Sequence, residues 1–184
     1  MIVIDQPRPL VAHIAAILAG FPTRSLTMVG VTGTNGKTSV CALLAAALGA
    51  GGSSCGVIGT LGSTLNGDQL ASGPRTTPEA PDIQAMARSM VDDGAEAMVM
   101  EVSSIALSEH RVDGVVFDVA VFTGLSHDHL DYHETMEAYF SAQVELFAEA
   151  RSRRGVVLID DEWGERLARE SVIPVETVSP TGKP

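Results

Sequence analysis

One stretch constrains the fold more than any other: Val29-Gly30-Val31-Thr32-Gly33-Thr34-Asn35-Gly36-Lys37-Thr38-Ser39. The apolar run at 26–31 reads as a buried parallel strand. Residues 37–48, rich in Ala and Leu, read as a helix. A strand that turns through glycines into a helix makes a phosphate cradle, because the curled backbone points its N–H groups at phosphate oxygens. The ammonium of Lys37 suits β and γ phosphates, the Thr38 hydroxyl suits Mg²⁺, and the helix dipole adds positive potential. Gly33, Thr34, Asn35, Gly36, Lys37, Thr38 and Ser39 are therefore candidates to hold ATP with Mg²⁺. The spacing departs from the general pattern G-x-x-x-x-G-K-[ST], with Val31 where the first glycine belongs. The competing reading is a glycine turn before a helix with an incidental lysine. The order strand, loop, helix favours phosphate.

The rest of the chain repeats this alternation. Helices are expected at 9–19, 82–91, 135–150 and 162–170, and strands at 55–60, 97–102, 117–123 and 156–159. Asn66-Gly67 between two short alternating stretches signals a hairpin. Residues 74–81 form a proline-containing loop, and 173–184 are extended. This pattern predicts an α/β fold, a mostly parallel sheet with helices on both faces. Residues 1–24 read as a helical lead-in and 25–184 as one domain. Of 184 residues 45% are hydrophobic and 19% charged, which permits a buried core. The net charge of −11 repels nucleic-acid phosphates, so any anion needs a local positive site. Cys41 and Cys55 read as packing residues of a reducing compartment. The N-terminus lacks a leader pattern and no apolar run reaches a membrane span. A cytoplasmic protein with no nucleic-acid or membrane partner is expected.

The string Gly33-Thr34-Asn35-Gly36-Lys37-Thr38 resembles the phosphate loop of Mur ligases. Further segments follow in order: Thr76-Thr77-Pro78-Glu79, Glu101-Val102-Ser103-Ser104, His110-Arg111-Val112, Val121-Phe122-Thr123 and Asp128-His129-Leu130-Asp131-Tyr132-His133. The resemblance runs from about residue 20 to 170 and is nearest to the ligase that adds the third residue to a UDP-N-acetylmuramoyl peptide. It implies the family's central ATP-binding domain and ADP-forming amide ligation through an acyl phosphate. It also implies Mg²⁺ held by Thr38, Glu101 and His129, with Lys37, Glu101 and His129 serving the chemistry. Thr76, Thr77, Ser103 and Arg111 would contact the UDP-muramoyl peptide, and an amino acid would be the second substrate.

On residue chemistry alone these assignments compete with plainer ones. Glu101 at a strand's C-terminal end suits Mg²⁺ but is equally a solvated acid. Arg111 suits a carboxylate or phosphate but is as readily a surface ion pair. His127, His129 and His133 suggest zinc, yet no Cys or further His lies near, so zinc is the weaker reading.

Departures from the family bear on activity. Ile105 replaces His, Gly124 replaces Asn, His127 replaces Arg, Glu109 replaces Gln and Leu158 replaces Asn. Gln143 stands where the family has a lysine, carbamylated to bridge two metals. Met136, Phe140, Gln143 and Phe147 share one helical face, so Gln143 points inward without that charge. The family's N-terminal uridine-binding and C-terminal domains do not fit in this length, and the central domain itself falls short. A fragment, a reduced protein, or a chain whose missing parts come from another chain all fit. A ligase core is weighed against a degenerate nucleotide-binding module and, less well, against a generic phosphate-loop ATPase or kinase.

Overall fold

The computed structural model describes residues 5–182. The readings of residues 1–4 as lacking a leader, and of the last two residues as extended chain, fall outside it. Eight strands form one sheet: β1 (Thr27–Thr32), β2 (Cys55–Gly59), β3 (Gly62–Leu65), β4 (Asp68–Ala71), β5 (Ala97–Glu101), β6 (Phe117–Phe122), β7 (Ser152–Leu158) and β8 (Val175–Val178). Their order is β4-β3-β2-β5-β1-β6-β7-β8. From β2 to β8 every neighbouring pair is parallel, while β3 and β4 add an antiparallel hairpin at one edge. The hairpin turns at Asn66 and Gly67, both with positive φ, as that dipeptide favours. The mostly parallel α/β sheet expected from the sequence is therefore present.

Among the described residues α1 (Pro7–Leu18) precedes the first strand, and α2 (Lys37–Ala50), α3 (Ala80–Asp92), α4 (Ser104–Ser108), α5 (Leu130–His133), α6 (Met136–Val144) and α7 (Glu162–Glu170) lie between strands. Alternation along the strands divides the core between the two faces of the sheet. Val29, Val31, Ala97 and Val99 meet Cys41 of α2 on one face. Met28, Met98, Met100, Phe117 and Phe122 join residues of α3, α4, α6 and α7 on the other. Near-continuous burial of β1 and β5 is what a two-sided parallel sheet requires.

Four elements differ from the sequence reading. The single helix expected at 135–150 is the nine-residue α6 followed by a 3₁₀ turn, Glu145–Phe147. Its end is fixed by competing bonds: the Ser152 hydroxyl donates to the Leu146 carbonyl at 2.7 Å, and the Arg151 and Ser152 amides donate to Ala148. Consequently β7 begins at Ser152 rather than 156; its exposed Arg153 and Arg154 had masked the strand pattern. The short α4, capped by the Ser103 side chain, was not foreseen, and 175–178 is a paired strand rather than merely extended chain.

The order of β1 and its neighbours positions the site. The chain leaves β1 for β2 on one side, then passes from β5 across β1 to β6 on the other. Such a reversal opens a crevice at the carboxyl ends of the strands. The loops after β1, β5 and β6 all lie at that end, and they carry the segments singled out in the sequence.

Candidate active site

The loop after β1 is shaped by what its glycines permit. Gly33 has φ +133° and Gly36 φ +89°, and a Cβ on Gly33 would overlap the Thr123 hydroxyl. Thr123 anchors the loop, its Oγ1 lying 3.0 Å from the Thr32 carbonyl and 2.7 Å from that of Asn35. The Thr34 amide donates to Gly124 O at 2.9 Å, and the Ser126 amide donates to Thr34 Oγ1 at 2.9 Å. The loop after β6 thus holds the loop after β1. Helix α2 begins at Lys37, so the amides of its first turn face the crevice without helical partners. Lys37 curls back, its Nζ donating to the carbonyls of Gly33 at 2.6 Å and Thr34 at 2.9 Å. Burial pushes the ammonium below its ordinary pKa, while the Glu101 and Asp128 carboxylates pull it back up.

Glu101, the last residue of β5, is 2% exposed. Its Oε1 accepts from the Thr38 hydroxyl and from the Thr60 amide, both at 2.9 Å. A buried carboxylate beside a hydroxyl at the start of α2 is a hard-oxygen pair beside a phosphate cradle, and such donors fit Mg²⁺. A groove of about 800 Å³ opens beside Thr38 and Glu101 and runs along α2 past Cys41 and Ala45 to the hairpin.

The proposed peptide contacts gather around the end of the same strand. Thr77 donates its hydroxyl to the Glu101 carbonyl at 2.8 Å and accepts from the Ser103 amide at 3.0 Å. Thr76 Oγ1 lies 3.0 Å from Thr60 Oγ1. Arg111 donates to the Thr77 carbonyl at 3.1 Å and pairs with Glu79 and Glu109. Its guanidinium is thus held by acids and not free, though Thr76, Thr77, Ser103 and Arg111 do form one cluster beside Glu101.

His129 lies on the loop after β6. It has φ +51° at the start of α5, and its half-exposed ring meets the edge of Tyr139 at 5.8 Å between centroids. The Tyr139 hydroxyl in turn lies 3.2 Å from Thr34 Oγ1, so the link from His129 to the phosphate loop runs through Tyr139. Gln143 is 1% exposed on α6, one turn beyond Tyr139, and its Oε1 is buried without a hydrogen-bond partner. The inward orientation read from the helical face is therefore present. Among the described residues no three His, Cys, Asp or Glu side chains gather as a metal cluster. The three histidines diverge: His127 is exposed, and His133 is buried against Ser104 Oγ at 2.8 Å.

Sequence reasoning missed Thr60 and Tyr139. Thr60 follows a strand end with no motif around it. Tyr139 lies four residues before Gln143, and helical spacing alone could have found it.

The His133 contacts carry a pH prediction. Burial lowers its imidazole pKa, His129 lowers it further and Asp131 opposes. An imidazole held neutral in the fold stabilises it at pH above the ordinary value of about 6.5. As pH falls through that value the unfolded chain protonates first, and the stabilisation is lost down to the lowered folded pKa. Melting temperatures at pH 8 and pH 5.5 should therefore fall more for wild type than for His133→Gln. An equal fall in both would refute this account.

Comparison with known proteins gives this geometry its context. The model of the Mur ligase middle domain matches residues 31–181. The chain is 48% identical over 183 residues to the UDP-N-acetylmuramoyl-L-alanyl-D-glutamate--2,6-diaminopimelate ligase of Streptomyces coelicolor, with 100% of this chain and 36% of that protein covered. It is 47% identical over 182 residues to the UDP-N-acetylmuramyl-tripeptide synthetase of Leifsonia xyli, covering 97% of this chain and 35% of that protein. It therefore spans about a third of the length of these relatives. A solved UDP-N-acetylmuramoyl-L-alanyl-D-glutamate--2,6-diaminopimelate ligase superposes with TM-score 0.84 at 28% identity, over 98% of this chain and 38% of that one. The Mycobacterium tuberculosis folylpolyglutamate synthase complexed with ADP shares the fold, with TM-score 0.73 at 17% identity over 95% of this chain and 47% of that one. With a middle-domain match over most of its length and relatives near half identity across all of it, the chain belongs to the Mur ligase family.

Proposed function

We propose that residues 25–184 are the ATP-handling core of an ADP-forming amide ligase of peptidoglycan synthesis, with residues 1–24 as a helical lead-in. The observation that carries this reading is the Thr38–Glu101 hydrogen bond beside the glycine loop and Lys37. The substrate carboxylate belongs to a UDP-N-acetylmuramoyl peptide, and the amine to an amino acid, which is 2,6-diaminopimelate in the relatives so named. A carboxylate oxygen attacks the γ-phosphorus as the bond to ADP breaks. The amine then attacks the acyl carbon, and phosphate leaves.

Each residue has a task in that sequence. The amides of the loop and of the first turn of α2 cradle the phosphates, and Lys37 moves from the loop carbonyls to the β and γ oxygens. Charge on the transferring group then meets fixed donors. Thr38 and Glu101 would hold Mg²⁺, which supplies charge neutralisation, and His129 would serve a second, weaker position. Thr76, Thr77, Ser103 and Arg111 contact the UDP-muramoyl peptide. A second reading, a nucleotide-binding core that does not ligate by itself, is favoured by Gln143, whose neutral amide takes the place of the family lysine.

A direct test uses the 184-residue chain. Calorimetry should show one Mg²⁺-dependent site for a non-hydrolysable ATP analogue, with the Mg²⁺ dependence lost in Glu101→Gln. No ADP should be released with UDP-muramoyl dipeptide and an amino acid, because holding amine and acyl group together supplies much of the rate and this reading assigns no residue to the amine. Nucleotide binding indifferent to Mg²⁺ would overturn the metal roles. ADP release that requires both substrates would show that the chain ligates unaided.

A further inference from the structure

Neither oxygen of the Glu101 carboxylate is free to turn. Oε1 accepts from the Thr60 amide at 2.9 Å, and Oε2 accepts from the Thr60 hydroxyl at 3.1 Å. One residue therefore grips both oxygens, one with its backbone and one with its side chain. The grip is close because the preceding residue is Gly59, where a Cβ would overlap Glu101 Oε1 and crowd its Cδ and Cγ. Gly59 ends β2, which lies beside β5 in register, so the two strand ends bring cradle and carboxylate together.

The proton count fixes a direction. A carboxylate only accepts hydrogen bonds, and a threonine hydroxyl has one proton to give. The Thr60 proton goes to Glu101 Oε2, so the 3.0 Å contact with Thr76 has Thr76 as the donor. The chain runs Thr76 O–H to Thr60 O–H to Glu101. With its proton committed, Thr76 turns only lone pairs toward the crevice.

We propose that Thr60 is a positioning residue that fixes the Glu101 carboxylate for the metal and, through Thr76, makes the peptide side of the site select a hydrogen-bond donor. This rests on the reading of Glu101 as a metal-binding group. Glu101 keeps one orientation in which Oε1 serves the Thr38 side, and metal affinity depends on that orientation as it does on other groups that orient ligands. The substrate group that meets Thr76 is an N–H or O–H, such as an amide or a sugar hydroxyl, and not a carboxylate or phosphate oxygen.

The test measures Mn²⁺ affinity by electron paramagnetic resonance in the presence of a non-hydrolysable ATP analogue. Thr60→Val keeps the shape and the amide but removes the hydroxyl, and is expected to weaken Mn²⁺ about 10-fold or more. Thr60→Ser restores the hydroxyl and should stay within about twofold of wild type on the same ground. Gly59→Ala, which displaces the carboxylate from its other side, should weaken Mn²⁺ as Thr60→Val does. Metal-free nucleotide affinity, measured in chelator, should be the same in all of them; a merely structural loss would lower it too. If Glu101→Gln leaves Mn²⁺ binding intact, the underlying metal reading fails. If Glu101→Gln abolishes it while Thr60→Val and Gly59→Ala match wild type, the positioning role is wrong and the metal reading stands. A variant that does not fold leaves the other to decide the question, since the two act on the carboxylate from different atoms.

Discussion

Replacing Lys37 by alanine should lower the affinity for a non-hydrolysable Mg·ATP analogue by about 10- to 100-fold. The ammonium is in direct contact with the phosphate loop, donating to the Gly33 and Thr34 carbonyls. The chain as a whole carries a net charge of −11, so its long-range field opposes a nucleotide and the local cation must outweigh it. Each charge-assisted hydrogen bond lost is worth on the order of 1.5–3 kcal/mol. The exchange is not free, because Nζ leaves two carbonyls to reach the phosphates, which is why the expected loss is nearer one such bond than two. Partial burial, which lowers the Lys37 pKa, also leaves less water to compete for the phosphate contact. Titration calorimetry on wild type and Lys37→Ala, with melting curves to establish that both fold, decides the matter. Equal affinities would remove Lys37 from the site and with it the functional reading of the loop.

How much of this was legible in the sequence depended on whether a residue's role is local. The phosphate loop is local: two glycines with positive φ, a lysine and a threonine within six positions define both backbone and chemistry. The parallel sheet was legible because β1 and β5 are buried on both faces and read as unbroken apolar runs. The Asn66-Gly67 hairpin was legible for the same local reason. What could not be read was anything set by partners far along the chain. The end of α6 depends on bonds from Arg151 and Ser152, and β7 hides behind its exposed arginines. Thr60 gains its place only when β2 lies beside β5, 41 positions away from Glu101 in sequence. Arg111 was read either as a ligand for an anion or as a surface ion pair, and only the fold brings Glu79 to it, beside Glu109 two positions away.

Converting Gln143 to lysine should create a second tight metal position, and only when bicarbonate is present. Gln143 is 1% exposed, and its Oε1 has no partner in a core where a buried acceptor ordinarily finds one. It sits one turn beyond Tyr139, whose hydroxyl touches Thr34, so it faces the phosphate-loop side of α6. The family resemblance implies a carbamylated lysine at this place, which would add a negative charge and two oxygens. A glutamine amide offers one neutral oxygen, and magnesium keeps its waters unless anionic oxygen replaces them. His129 remains, but a neutral imidazole is a poor anchor for a hard cation. The first position keeps Thr38 and Glu101 unchanged. Mn²⁺ titrated with a non-hydrolysable ATP analogue and counted by electron paramagnetic resonance should therefore give one tight site in the wild-type chain. In Gln143→Lys a buried amine has its pKa lowered by desolvation. The neutral amine is the form that adds carbon dioxide, losing a proton to give the carbamate. Bicarbonate should then bring a second site, and its omission should leave one site and a less stable protein, since the amine is buried without a counter-charge. Two equally tight sites in the wild-type chain would mean that Gln143 does not disable the bridge, and the reading of a nucleotide-binding core that does not ligate would lose its support.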